Sequence, residues 1–170
     1  MDSLHKCKLV HCHLSSRNVF IQQVVVDNTI KYNIKLGDLG DLSIRQSLKV
    51  FGNYDIRNTW SSPELLEDCN LAFSNRNVAM DIYSYGMLLW EIFSNVVPFG
   101  DNINAAKQFV VEKNFRPKIK YMEDDEDDSH GKVIPEEIAE IIKKCWVREP
   151  DNRPQWISDI SERLKFINYD

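Results

Sequence analysis

Hydrophobic spacing divides the chain into three zones. Between residues 19 and 36 the period is two: Val19 to Ile21 and Val24 to Val26 are β-branched or aromatic runs, and Ile30, Tyr32, Ile34 and Leu36 alternate with polar neighbours. Asp27-Asn28 supplies the turn between them. A β-hairpin with one buried face is the expectation. Periodicity is then lost from Gly37 to Asn58, a stretch rich in Asp, Ser, Asn and Gly. A loop of that length in a compact domain is usually functional or mobile. Helical spacing takes over after Pro63, which follows Ser62 as a first-turn proline follows a cap. Val78 to Ser94 is apolar nearly all round, with Asp81, Ser84 and Glu91 as its main polar residues, and predicts the buried axis of the domain. Ala105 to Lys113 predicts a short helix stopped before Pro117. Pro135 opens a helix through Cys145, with Ile138, Ile141, Ile142 and Cys145 on one face, and Trp156 to Ile167 supplies the last. Met1 to Lys8 reads as the tail of a helix. The fold class is mostly α with one small hairpin.

Composition narrows the classes. A chain of 170 residues with 43% hydrophobic and 28% charged residues is an ordinary globular domain. The net charge of −5 speaks against a nucleic-acid face, which needs clustered Lys and Arg. No window approaches the ~20 apolar residues of a membrane span, and the N-terminus lacks the apolar core of a signal peptide. Four cysteines without framework spacing read as reduced thiols, so the cytoplasm is the expected compartment. Residues 123–128, six consecutive acids, predict a solvated loop that could also meet a basic partner.

Five segments in order carry a resemblance. His11-Cys12-His13-Leu14-Ser15-Ser16-Arg17-Asn18 resembles the catalytic loop H-R-D-L-x-x-x-N of protein kinases. Gly37-Asp38-Leu39-Gly40 resembles the D-F-G segment and Ser62-Pro63-Glu64 the A-P-E segment. Asp81-Ile82-Tyr83-Ser84-Tyr85-Gly86 resembles the start of the central helix, D-x-W-S-x-G. Cys145-Trp146, Pro150 and Arg153-Pro154 resemble the C-W…P…R-P segment near the family's C-terminal end. Each match is weak alone; five in order over nearly the whole chain are specific. The Leu14 to Asn18 run is similar to the L-A-A-R-N loop of tyrosine kinases. Trp60 and the run Leu88 to Ile92 lean toward the same tyrosine-kinase-like branch.

The resemblance implies a protein-kinase C-lobe: a single partial kinase domain over 1–170, with a catalytic loop at 11–18, an activation segment at 38–64 and a helical subdomain at 78–167. In that family two Mg²⁺ ions on the nucleotide phosphates are held by the D-F-G aspartate and the catalytic-loop asparagine, which fall on Asp38 and Asn18. Mg-ATP is the implied cofactor. The aspartate that accepts the substrate proton falls on His13, with Arg17 grouped beside it as a catalytic position. The preceding arginine is Cys12. Structural roles fall on His11, on Asp81 as a partner of the loop backbone, and on Glu64 with Arg153 as a pair tying the activation segment to the helices. The Gly-rich loop, β3 lysine and αC glutamate of an N-lobe find no counterpart ahead of His11, so the N-terminal β-lobe is expected to be absent. A scaffold kept while its chemistry is degraded implies a pseudokinase acting through protein partners. The surfaces expected to receive them are the activation segment, the 105–113 helix and the vacant N-lobe face.

Other readings compete. With an N-lobe from a longer product or a partner, and His13 as substitute base, the chain is an active tyrosine or serine/threonine kinase. As a fragment without a function of its own, it exposes apolar surface and aggregates. His5, Cys7, His11, Cys12 and His13 also offer zinc its usual donors, though at no standard spacing. Ser43, Ser47, Tyr54 and Thr59 are candidate phosphoacceptors in a loop type rich in such residues.

Overall fold

The computed structural model describes residues 1–38, 57–69, 75–121 and 131–167. They form helices around one central helix, with a single two-stranded sheet. The elements are α1 (Asp2–Lys6), β1 (Val19–Val26), β2 (Thr29–Leu36), α2 (Pro63–Glu67), α3 (Val78–Ser94), α4 (Ile103–Lys107), α5 (Glu136–Cys145) and α6 (Ile157–Lys165). The acidic block at 123–128 and the positions Ser43, Ser47 and Tyr54 lie outside the described residues.

Helix α3 spans the residues its apolar run predicts, and buries Met80, Ile82, Tyr83, Met87, Leu88, Leu89 and Trp90. An apolar residue on every side suits a helix packed on every side. It ends at Asn95, whose left-handed conformation (φ 60°) lets its amide bond the Glu91 carbonyl. Helix α5 lays Ile138, Ile142 and Cys145 against it. The contact is close at Gly86, where a Cβ would come within 2.6 Å of Cys145 Cβ. Any larger residue there would push the two helices apart. The predicted 105–113 helix starts earlier and changes character. Asn102 caps α4 by accepting from the Asn104 and Ala105 amides, and the chain widens into a π-helical turn over Gln108–Glu112.

The hairpin forms with Val19 opposite Leu36 and Val26 opposite Thr29. Its expected buried face is corrected. Phe20, Ile21 and Val25 on β1, and Ile30, Tyr32 and Ile34 on β2, are all more than half exposed, so neither face is covered by the described residues. A two-residue period says that side chains alternate; it does not supply a layer to lie against. Among the described residues only the base of the hairpin, Val19 and Leu36, packs on the core.

Candidate functional site

The hairpin register builds the site. Beyond the Val19–Leu36 pair the ladder gains one more bond, from the Gly37 amide to the Asn18 carbonyl at 2.8 Å. Asp38 is thereby set beside the segment 11–18, and its φ of 51° turns the chain there. His13 Nδ1 lies 2.8 Å from Asp38 Oδ2. Asn18 Nδ2 donates to the His13 carbonyl at 2.7 Å and sits 3.4 Å from His13 Nδ1. His13, Asn18 and Asp38 therefore share one corner. Asp38 is exposed, His13 half-buried and Asn18 buried.

Behind that corner lies a second, fully buried arrangement. Asp81 has no exposed surface and accepts three hydrogen bonds: from the His11 amide (2.8 Å), the Cys12 amide (2.7 Å) and the ring of His5 (2.9 Å). A buried carboxylate is tolerable only when its oxygens are so satisfied. His11 continues the chain of contacts. Its Nδ1 accepts from the His13 amide at 3.2 Å, which leaves Nε2–H to donate to the Gly37 carbonyl at 3.1 Å. From the first turn of α3, Asp81 thus fixes residues 11 and 12, and His11 ties residue 13 to residue 37. Cys12 is buried with a positive φ of 56°, and burial, followed by the charge of Asp81, pushes its thiol up to about 12. It is a packing residue and not a nucleophile at neutral pH.

Glu91 clamps the other side of the loop. Its two oxygens accept from Ser16 Oγ (2.9 Å) and Trp60 Nε1 (2.8 Å), so α3 grips the loop and the segment before α2 together. Arg17 pairs with Asp101 and stands 5.8 Å over the Trp60 ring. At the far end, Arg153 holds Glu64 through two hydrogen bonds. Sequence reasoning missed Glu91, Asp101 and the role of His5. The signal for Glu91 was present: it is one of two acids in an otherwise apolar helix, and an acid in a buried helix needs a partner. Nothing local marks Asp101 or His5.

The cluster His5, Cys7, His11, Cys12 and His13 does not converge. His5 and His11 are spent on Asp81 and Gly37, Cys12 packs on Met80 and Cys7 is exposed. Among the described residues no three His, Cys, Asp or Glu side chains gather as a metal site. Thr59 is buried, which removes its hydroxyl from any modifying enzyme in this fold.

Residues 1–164 match the protein tyrosine and serine/threonine kinase family, and the chain belongs to it. It is 30% identical to the dual specificity protein kinase zakA of Dictyostelium discoideum, over 96% of this chain and 20% of that one. It is 27% identical to the RGS domain-containing serine/threonine-protein kinase A of the same organism, over 95% of this chain and 12% of that one. Tyrosine-protein kinase Fer of Rattus norvegicus is 29% identical over 93% of this chain and 17% of its own length. The chain spans a fifth or less of these relatives. Both tyrosine and serine/threonine kinases are among them. No helix among the described residues is long and apolar enough to cross a membrane.

Proposed function

We propose that the chain is the helical C-lobe portion of a kinase domain, impaired in phosphate transfer, and that it works by binding other proteins. The observation that carries this reading is the pairing of His13 with Asp38 at 2.8 Å. His13 stands where the family's motif has the aspartate that takes the substrate proton. A positioned general base is worth on the order of 10²- to 10⁴-fold in rate. An imidazole directed at Asp38 is occupied by the carboxylate that should serve the metal.

The residues present do fit the family's Mg-ATP in part. Asp38 offers carboxylate oxygen and Asn18, with Nδ2 turned to the His13 carbonyl, keeps its Oδ1 as a ligand atom. Hard cations take oxygen ligands of these kinds. Bound there, Mg²⁺ would neutralise the nucleotide phosphates. His11, Asp81, Glu64 and Arg153 are read as scaffold, Arg17 as a loop residue anchored on Asp101. The surfaces we expect protein partners to use are the activation segment, of which residues 39–56 lie outside the described residues, the 105–113 helix and the vacant N-lobe face; the exposed apolar side chains of the hairpin add a further surface. We place the chain in the tyrosine-kinase-like branch, in the cytoplasm.

Two measurements on this chain test the reading: calorimetry with Mg-ATP on wild type and Asp38→Ala, and phosphate transfer from ATP to a mixed peptide substrate. The expected result is no transfer above background by wild type. Robust transfer that disappears in His13→Ala would overturn it and make His13 a working base.

A further inference from the structure

The histidine at position 13 changes what the corner formed by His13, Asn18 and Asp38 can hold. We propose that His13 Nδ1, Asp38 Oδ2 and Asn18 Oδ1 form a mixed nitrogen–oxygen site for a divalent transition-metal ion, with His13 as a ligand and the preference moved away from Mg²⁺. This inference needs neither bound nucleotide nor phosphate transfer, so it stands or falls apart from the reading above.

Three observations carry it. The first is spacing. Metal–nitrogen and metal–oxygen bonds of about 2.0–2.2 Å put neighbouring ligands about 3.0–3.4 Å apart. His13 Nδ1 and Asp38 Oδ2 already face each other at 2.8 Å. Asn18 reaches the same corner through its Nδ2, which lies 3.4 Å from that nitrogen and donates to the His13 carbonyl, so Oδ1 is the atom its amide keeps for a metal. A cation replacing the hydrogen shared by the pair requires them to open by only a few tenths of an ångström. The second is support. Metal-ligating side chains are held by a further layer of bonds. Here the His13 amide is fixed by His11, its carbonyl by Asn18, and Asp38 follows a residue tied by both its amide and its carbonyl. The third is donor chemistry. Two oxygens alone suit Mg²⁺, Ca²⁺ and Mn²⁺, whereas an imidazole nitrogen adds affinity for Fe²⁺, Co²⁺, Ni²⁺ and Zn²⁺. The other imidazoles and thiols nearby are engaged elsewhere or buried, apart from Cys7, which is exposed and remote in the bonding pattern.

The test uses Co²⁺ and Mg²⁺ as probes, in a Cys7→Ser background so that an exposed thiol cannot capture Co²⁺. Affinities are read by calorimetry and the ligand field by the visible absorption of bound Co²⁺. Most sites prefer Co²⁺ to Mg²⁺, so the preference alone decides nothing; its dependence on His13 does. The expected result is a stoichiometric Co²⁺ site that weakens at least tenfold in His13→Ala, with Mg²⁺ binding within about threefold of its starting value. His13→Asp should shift the ratio toward Mg²⁺. Equal Co²⁺ affinity and spectrum in the Cys7→Ser protein with and without His13→Ala overturns the proposal, as does failure of the Cys7→Ser protein to bind Co²⁺. His13 is half-buried, and matching thermal melts of the variants establish that loss of metal is not loss of fold.

Discussion

Glu64 and Arg153 stand 89 positions apart and meet through two parallel hydrogen bonds of 2.7 and 2.9 Å. The remaining guanidinium hydrogens go to the carbonyls of Ala79, Val147 and Arg148, so all five donors are used and the side chain is fully buried. Lysine cannot reproduce that fork. Removing Glu64 leaves the buried Arg153 charge unpaired, at a cost of roughly 3–5 kcal/mol, whereas Glu64 is partly exposed and is left partly solvated when the Arg153 fork is lost. Urea denaturation of Arg153→Lys and Glu64→Ala should show midpoints reduced accordingly, with Glu64→Gln milder because it keeps one acceptor. An unchanged midpoint in Arg153→Lys would show that the fork is not an anchor.

Asp81 allows a sharper measurement, because its removal orphans identifiable donors. Asp81→Asn swaps an acceptor oxygen for a donor amide facing the His11 and Cys12 N–H groups or the His5 ring. Each orphaned buried donor costs about 1–3 kcal/mol. Hydrogen exchange at the amides of His11 and Cys12 should accelerate well beyond the global loss of stability, since these two bonds fix the loop to α3. Acceleration spread evenly over α3 and α5 would mean that Asp81 serves the fold as a whole and not this loop.

The sequence made the long apolar elements legible because burial on all sides or on one face leaves a mark in every turn. Val78 to Ser94 and the Ile138, Ile141, Ile142 and Cys145 face are of that kind. The motif residues His11, Asp81, Glu64 and Arg153 were legible only as members of a resemblance. Their geometry joins positions as far apart as 89 residues, and no local pattern encodes such a distance. The π-helical turn at Gln108–Glu112 was invisible for a related reason: it answers to packing against the core through Val110 rather than to residue type. The hairpin shows the opposite error. Its strands were plain, but a covering layer was inferred where the described residues provide none.

That uncovered hairpin makes its own prediction. Ile21 and Ile34 face each other across the register, each about two-thirds exposed. Replacing both by Thr keeps β-branching and removes apolar surface from solvent. Stability should change by no more than about 0.5 kcal/mol per site, as at other exposed positions, while light scattering at high concentration reports less self-association. A large fall in melting temperature would show instead that these residues are covered by a part of the chain outside the described residues.

Alkaline pH should unfold the domain earlier than its carboxylates and salt bridges suggest. Burial pushes the Cys145 thiol up to about 12, as it does Cys12, from an ordinary value of 9.0, and it raises the Tyr83 hydroxyl as well. Each group is held protonated by the fold, so above pH 9 the unfolded chain binds fewer protons than the native one. Stability therefore falls as pH rises, by up to about 1.4 kcal/mol per pH unit for each thiol between 9 and 12. Melting temperature should hold between pH 7 and 8.5 and drop steeply by pH 10. Cys145→Ala, which removes the thiol but keeps the Cβ that lies closest to Gly86, should flatten that slope without abolishing it. A slope unchanged by the substitution would place the titrating group elsewhere. In the native protein at pH 8.5 a thiol reagent should modify exposed Cys7 quickly, and Cys12 and Cys145 only at the rate at which the core opens.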